Sequence, residues 1–351
     1  YFLDNEYYFK RPGLYGYYDD GERFAFFSKA ILEMLHYIDY APDIIHCNDW
    51  QTALVPGYLN LFYRGEKKFR DLKTVLTIHN IQYQGKYGME MVQDVLGLPQ
   101  SATPIVEYDG CVNYMKGGID QCNMITTVSQ TYAQEILDPW YSHGLDRILK
   151  ARQFKLMGIL NGIDVEGYNP QTDSNLAAPF SSDDPSGKAE DKRALQEEMG
   201  LPKQEDVMLL GIVSRLADPK GLDLVKYIGE EMFQENLQLV VLGSGEYMFE
   251  SFFEEMQRKY PEKVSFIKGF IPPLARRIYA GADAFLMPSK SEPCGLAQMV
   301  ALRYGTIPIV RSTGGLKDSI QDLGGNDGNG FTFQSYNAHD MLGAVKRALD
   351  L

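Results

Sequence analysis

Short, almost wholly apolar runs recur along this chain, separated by stretches with helical periodicity. Candidate strands fall at 44–47, 74–78, 124–128 and 156–160, and again at 207–213, 237–242, 264–267, 284–287 and 307–310. A strand with one wet face alternates apolar and polar residues. Continuous apolar runs instead mark parallel strands covered on both faces. Between them, 189–199, 222–232, 246–258 and 296–304 carry the spacing of amphipathic helices. Strand–helix alternation of this kind predicts α/β architecture, a doubly wound parallel sheet with helices on both sides. The pattern lapses over 164–188, where "NPQTDSNLAAPFSSDDPSG" has loop composition. The expectation is two Rossmann-like domains, 1–165 and 166–351, facing across a cleft. No internal repeat or low-complexity tract interrupts them.

The totals narrow the function classes. A chain of 351 residues suits two domains. No apolar run approaches the ~20 residues of a membrane span. With 34 Lys+Arg against 47 Asp+Glu, the formal charge is -13. That argues against nucleic acid as a partner, which needs a basic face, while leaving room for a small anion held by a few local cations. Cys47, Cys111, Cys122 and Cys294 show no C-x-x-C spacing, so the expectation is a reducing, cytoplasmic compartment with no disulfide framework or metal site. The opening Tyr1-Phe2-Leu3 reads as the end of a strand, so the natural N-terminus is expected upstream.

Polar residues gather just after the strands, where ligands bind in such sheets. Asn48 and Asp49 follow the first run, His79 and Asn80 the second, and Asn161 the fourth. Arg215 ends the fifth, with Lys220 five residues on. Gly243 and Gly245 bracket a serine, although "GSGEYM" does not complete G-x-G-x-x-G, and no Walker A loop occurs. Glu292 lies in "PSKSEPCGLAQ" between a strand and a helix, and Thr313-Gly314-Gly315 precedes another helix. Arg215 and Lys220, with backbone amides at Gly295, Gly314 and Gly315, suggest a polyphosphate site.

Each residue also has a plain reading. His79 could be a hydrogen-bonded supporting residue, and the two cations could be solvated ion-pairing residues. Asp49 could cap the helix that begins near Thr52. Cys294 reads as an inert small residue. The tyrosine-rich "NEYYFKRPGLYGYY" could be packing or a sugar-stacking platform.

Taken together, "DWQTAL", "TIHNIQYQG", "LNGID", "SRLADPKGLDL" and the long run from "GFIPPLARR" through "SEPCGLAQ" to "STGGLKDSI" resemble bacterial glycogen synthase and plant starch synthase. The resemblance extends from "YFLDNEYYFKRPGLYG" almost to the last residue. It implies the GT-B fold and retaining transfer of glucose from ADP-glucose to the non-reducing 4-hydroxyl of an α-1,4-glucan, with no cofactor beyond the donor. By the same resemblance Glu292 contacts the donor glucose, while Arg215 and Lys220 hold the diphosphate. Asp49, His79 and Asn161 contact the glucosyl unit. Cys294, Gly295 and Leu296 line the pocket, Thr313, Gly314 and Gly315 form the diphosphate-side loop, and Phe270 stands where a tyrosine packs on adenine.

The departures are specific. The family's K-x-G-G-L loop, which touches the donor, is not found here, nor is its closing C-terminal helix. A chain without them is expected to elongate glucan weakly or not at all. Some related transferases have a second glutamate eight positions beyond the first; here that residue is Val300. The other readings are a GT-B transferase that uses a UDP-sugar, and a silent glucan- or nucleotide-binding module.

Overall fold

The computed structural model describes residues 1–325 and 327–351. They form two compact units, Tyr1–Ile159 and Leu160–Leu351. The first contains β1 (Ile44–Asn48), β2 (Lys73–Ile78), β3 (Lys86–Tyr87), β4 (Glu107–Tyr108), β5 (Cys111–Asn113), β6 (Met124–Thr127) and β7 (Leu156–Gly158). Four of these make a parallel sheet in the order β1-β2-β6-β7, and the other three an antiparallel ribbon in the order β3-β5-β4. The parallel strands match the apolar runs within a residue or two. The ribbon strands, two or three residues long, are too short to leave a periodic signal.

The tyrosine-rich start is tied down by charge rather than by a sheet. Tyr1-Phe2-Leu3, expected as a strand end, forms no strand; the first element is a single helical turn, Glu6–Phe9. Asp20 pairs with Arg23, whose side chain is buried and lies over the rings of Tyr17 and Phe24. Arg11 pairs with Asp19 at 2.6 Å. These contacts hold the segment against the helix Asp20–Met34, whose inner face buries Ala25, Ser28 and Leu32.

The second unit contains β8 (Met208–Val213), β9 (Leu237–Gly243), β10 (Val264–Lys268), β11 (Ala284–Met287), β12 (Ile307–Arg311) and β13 (Phe331–Phe333). All pair in parallel, in the order β10-β9-β8-β11-β12-β13. Counted from its first strand this is 3-2-1-4-5-6, the dinucleotide-fold order. Every residue of β9, between β10 and β8, is buried. The helix Leu222–Met232 covers the sheet with Leu222, Val225, Ile228 and Met232, the i, i+3, i+4 stripe of an amphipathic helix. The helix Ala338–Leu349 is started by Asn337, whose side chain accepts from the backbone N–H groups of His339 and Asp340.

The polar loop after residue 160 is not a free tether. Phe180 is buried beside Tyr279, Phe285 and Tyr304, with Ile163, Tyr168 and Leu176 packed around them. Asp173 accepts from Arg276 at 3.0 Å and from the Tyr304 hydroxyl at 2.5 Å. Apolar anchors and one shared carboxylate belt this segment to the second unit, which explains why its compact body begins at Leu160.

Candidate functional site

In the second unit, the order 3-2-1-4-5-6 reverses between β8 and β11. The chain leaves these neighbouring strands in opposite lateral directions, opening a crevice at their carboxyl ends. A pocket of about 180 Å³ lies there, and its walls include Ser214, Arg215, Lys220, Ser289, Glu292, Gly295 and Leu296. Residues far apart in sequence are thus brought together by topology alone.

Glycines set how close the loops come. Gly221, at φ 70°, follows the short turn Asp218–Lys220; a Cβ there would stand 2.0 Å from the Pro288 carbonyl oxygen. The Pro219 carbonyl accepts from Lys290 N–H at 2.9 Å, stitching the loop after β8 to the loop after β11. At Gly314, with φ 46°, a Cβ would stand only 1.9 Å from the Glu292 carbonyl oxygen. A Cβ at Gly315 would approach the Cys294 carbonyl oxygen to 2.1 Å. Any side chain at these three positions would force the loops apart.

Glu292 is 6% exposed. Its Oε2 accepts from Lys220 Nζ at 2.7 Å and from Ser289 Oγ at 3.1 Å. A buried carboxylate is stable only when paired and hydrogen-bonded, and Glu292 is both. The ammonium has three donors, and one of them is spent on Glu292. Arg215 is exposed, and among the described residues its guanidinium makes no ion pair or hydrogen bond. The pocket therefore presents a paired cation, an unengaged cation and a neutralised acid.

The remaining residues suggested by sequence divide into several groups. Gly295 adopts φ 71° and lines the pocket with half-exposed Leu296. Cys294 is buried and is not among the residues lining this pocket; burial pushes its thiol pKa up, partly offset by Asn161. Thr313 is fully buried behind the pocket. The Gly315 N–H donates to the carbonyls of Glu292 and Pro293, at 3.1 and 3.2 Å. Its amide is thus committed to holding the 292–294 turn, a packing task that the glycine pattern did not reveal. Phe270, 90% exposed, follows edge-strand β10 and is also not among the residues lining this pocket. Val300 is buried in the core with Tyr279 and Tyr304.

Sequence reading missed a clamp beneath the loop. Buried Arg311, at the end of β12, donates to the carbonyls of Ser289 at 2.8 Å and Lys290 at 2.6 Å. Gln298 does the same for the next turn, with Nε2 donating to the carbonyls of Cys294 and Gly295 at 3.1 and 2.9 Å. A strand-end arginine was visible in "IPIVRSTGG", yet nothing in sequence says which loop it grips.

The first unit gathers its own group at the carboxyl ends of β1 and β2. Asp49 sits at φ 56°, ψ -171°, a backbone region nearly reserved for glycine that costs about 1–3 kcal/mol for other residues. Its N–H donates to the Thr77 carbonyl at 2.9 Å, and its Oδ1 accepts from His79 N–H at 2.8 Å. The side chain does not cap the 3₁₀ turn Trp50–Thr52; it ties two strand ends together instead. Burial raises the Asp49 pKa, partly offset by the His79 amide, the nearby His79 side chain and the Asn80 amide. His79 Nε2 lies 2.9 Å from Asn48 Oδ1. An amide oxygen only accepts, so Nε2 carries the proton and Nδ1 is left as the free ring nitrogen.

Comparison with known proteins adds independent observations. Residues 1–151 match the family model described as the starch synthase catalytic domain, and residues 192–351 match that of glycosyl transferases group 1. Glycogen synthase of Geobacillus thermodenitrificans is 53% identical over 353 residues, an alignment covering 99% of this chain and 73% of the relative. That of Clostridium acetobutylicum is 48% identical, over 99% of this chain and 74% of the relative. Among solved structures, the catalytic domain of starch synthase IV from Arabidopsis thaliana, bound to ADP and acarbose, superposes with a TM-score of 0.89 at 37% identity, covering 98% of this chain and 72% of that one. A sucrose-phosphate synthase from Thermosynechococcus elongatus shares the fold at 18% identity, with a TM-score of 0.60 over 97% of this chain and 72% of that one.

Proposed function

The chain belongs to the glycogen synthase family of glycosyltransferases, and on that premise we propose that it elongates α-1,4-glucan by retaining transfer of glucose from ADP-glucose. Its fold is that of the GT-B transferases. The observation that carries the reading is the pocket at the β8–β11 switch point, where the unengaged Arg215 stands beside the Lys220–Glu292 pair.

Each group then has a task. The leaving nucleoside diphosphate gains charge as the glycosidic bond breaks. Arg215 and the remaining Lys220 donors stabilise that charge without rearrangement. Glu292, neutralised by Lys220, accepts from hydroxyls of the donor glucose without repelling the diphosphate. Asp49, His79 and Asn161 contact the glucosyl unit. In this reading Thr313, Gly314 and Gly315 shape the loop on the diphosphate side, and Phe270 stacks on adenine. Retention follows from same-face displacement, in which the departing phosphate accepts the proton of the incoming 4-hydroxyl. This contrasts with the carboxylate pair of glycoside hydrolases.

The partners are ADP-glucose and an α-1,4-glucan, and the compartment is the cytoplasm, consistent with four free cysteines. Among the described residues no helix is long and apolar enough to cross a membrane. Glucan elongation with ADP-glucose and UDP-glucose in parallel, together with calorimetric binding of each, tests the proposal. Faster elongation and tighter binding with the adenine donor are expected. Preference for UDP-glucose would assign the pocket to another GT-B transferase, and binding without turnover would leave a silent module.

A further inference from the structure

The "GSGEY" turn after β9 takes no part in the pocket wall: neither Gly243, Ser244 nor Gly245 lines it. A glycine pair ahead of a helix suggests amides free to cradle an anion. Here they are committed elsewhere. Glu246 N–H donates to the Leu216 carbonyl at 2.7 Å, and Leu216 N–H to the Ser244 carbonyl at 2.9 Å. Leu216 and Gly245 thus form a parallel bridge that prolongs the β8–β9 ladder past both strand ends. The glycines permit this contact. A Cβ at Gly243 would stand 2.1 Å from the Ser214 carbonyl oxygen, and one at Gly245 2.2 Å from that of Leu216. Arg215 is the residue between the two so gripped.

The bridge stands at a corner of the sheet where the ladder gives out. β10 pairs with β9 as far as Lys268 opposite Gly243, then turns away through Gly269 at φ 145°. Gly245 N–H, which the bridge does not use, meets a side chain in place of a strand: Glu250 Oε1 accepts it at 2.9 Å. Glu250 is 6% exposed and lies near the start of the helix Tyr247–Lys259. Its Oε2 pairs with Lys268 Nζ at 2.6 Å. A buried carboxylate with both oxygens engaged is held in one place. Glu246 adds a second tie to the cation loop, its Oε1 accepting from Asp218 N–H at 2.9 Å.

The Arg215 guanidinium makes no ion pair or hydrogen bond among the described residues, so its direction is set by its backbone. We propose that Glu250 is a positioning residue for Arg215: it holds the Ser244–Glu246 turn, and through it the backbone that presents the guanidinium to the diphosphate. Glu250 lines no part of the pocket. The inference rests on the function proposed above, which makes Arg215 a diphosphate ligand. Without the carboxylate, Gly245 N–H turns to water and the bridge to Leu216 loosens. Arg215 then spends time in directions that miss the leaving group, and aim of this kind governs transfer rate. A purely structural Glu250 would act on stability alone.

A double-mutant cycle on the whole chain tests this, with ADP as the calorimetric probe and ADP-glucose in steady-state elongation. Glu250→Ala should weaken ADP binding and lower kcat/KM for ADP-glucose, each about tenfold, leaving the KM for glucan unchanged. In an Arg215→Ala background the same change should have no further effect, because the group it aims is gone. Glu250→Gln keeps an acceptor for Gly245 N–H and should recover most of the loss. Equal losses in both backgrounds, or a lower melting temperature with wild-type ADP affinity, would overturn the proposal. Glu250→Asp keeps the charge but withdraws it by one methylene. Should the alanine variant not fold, the aspartate variant should show a smaller loss that again needs Arg215, and a loss independent of Arg215 refutes the idea. If wild type binds ADP but elongates nothing, the transfer function has failed, and the cycle in ADP affinity still decides the role of Glu250.

Discussion

The two units hold their polar residues at strand ends by opposite means. In the second, the backbone is relaxed: Gly221, Gly295 and Gly314 occupy the left-handed positions, and the charged side chains rest on loops that those glycines let pack together. In the first, a non-glycine residue, Asp49, takes the strained conformation itself and is pinned by Thr77 and His79. The difference follows from what each group must hold. A diphosphate pocket needs several cations and amides at fixed spacing, which calls for close loops. A site built around one carboxylate needs that carboxylate aimed, and strain is tolerated where aim matters.

Breaking the charged side of this comparison has the largest expected effect. Arg215→Ala should lower kcat/KM for the nucleotide sugar by about 10²–10³, with little change in thermal stability because its guanidinium bonds to none of the described residues. Steady-state elongation and calorimetric nucleotide binding check it; normal binding would remove Arg215 from the phosphate site. Next comes packing. Gly314→Ala places a methyl against the Glu292 carbonyl and should destabilise the protein by about 3 kcal/mol, read by urea unfolding. A loss under about 0.5 kcal/mol would show that the loops have slack.

Arg311→Met removes the grip on Ser289 and Lys290 without touching substrate. It should reduce kcat about tenfold, a barrier change of about 1.4 kcal/mol, with the pH profile unchanged. An Arg311→Lys variant should recover part of the loss. Equal defects in both variants, or an altered pH profile, would show that Arg311 acts by other means.

The smallest effect sharpens the comparison in the first unit. Burial raises the Asp49 pKa from 3.8. The folded state therefore binds the proton more tightly than the unfolded state does. That contribution is fully present below about pH 3.8 and is lost as pH rises through the folded value. At neutral pH the ionised carboxylate consequently costs stability. Asp49→Asn keeps the acceptor for His79 N–H and should raise the melting temperature at pH 7 while abolishing glucan elongation, and this advantage should fade below pH 4. Scanning calorimetry at both pH values reads it; a lower melting temperature at pH 7 would mean that the charge is stabilising in place.

Sequence made the sheets legible because parallel strands buried on both faces leave continuous apolar runs, and those survive any choice of helix. It also exposed the strand-end residues, since loops after parallel strands are short and each carries its polar residue at a predictable place. Contacts between loops were not legible. That Lys220 bonds Glu292 directly depends on Gly221 letting its loop touch Pro288. The commitment of the Gly315 amide to Glu292 and Pro293 depends equally on the turn at Cys294. Linear sequence shows a glycine where space is needed but does not show whether a ligand or another loop fills it. The clamp by Arg311 was hidden for the same reason: a strand-end cation looks alike whether it faces an anion or a row of carbonyls.

The three glycine contacts also bear on how such a pocket can change over generations. Loops after three strands that neighbour one another in the sheet, β8, β11 and β12, touch through backbone atoms, where no side chain can be trimmed to make room. A substitution in one loop is therefore felt in the other two, and its effect depends on which residues already stand there. Such a pocket resists gradual remodelling at its centre. Its outer wall, where half-exposed Leu296 lines the pocket, is where a lineage is free to alter what it accepts.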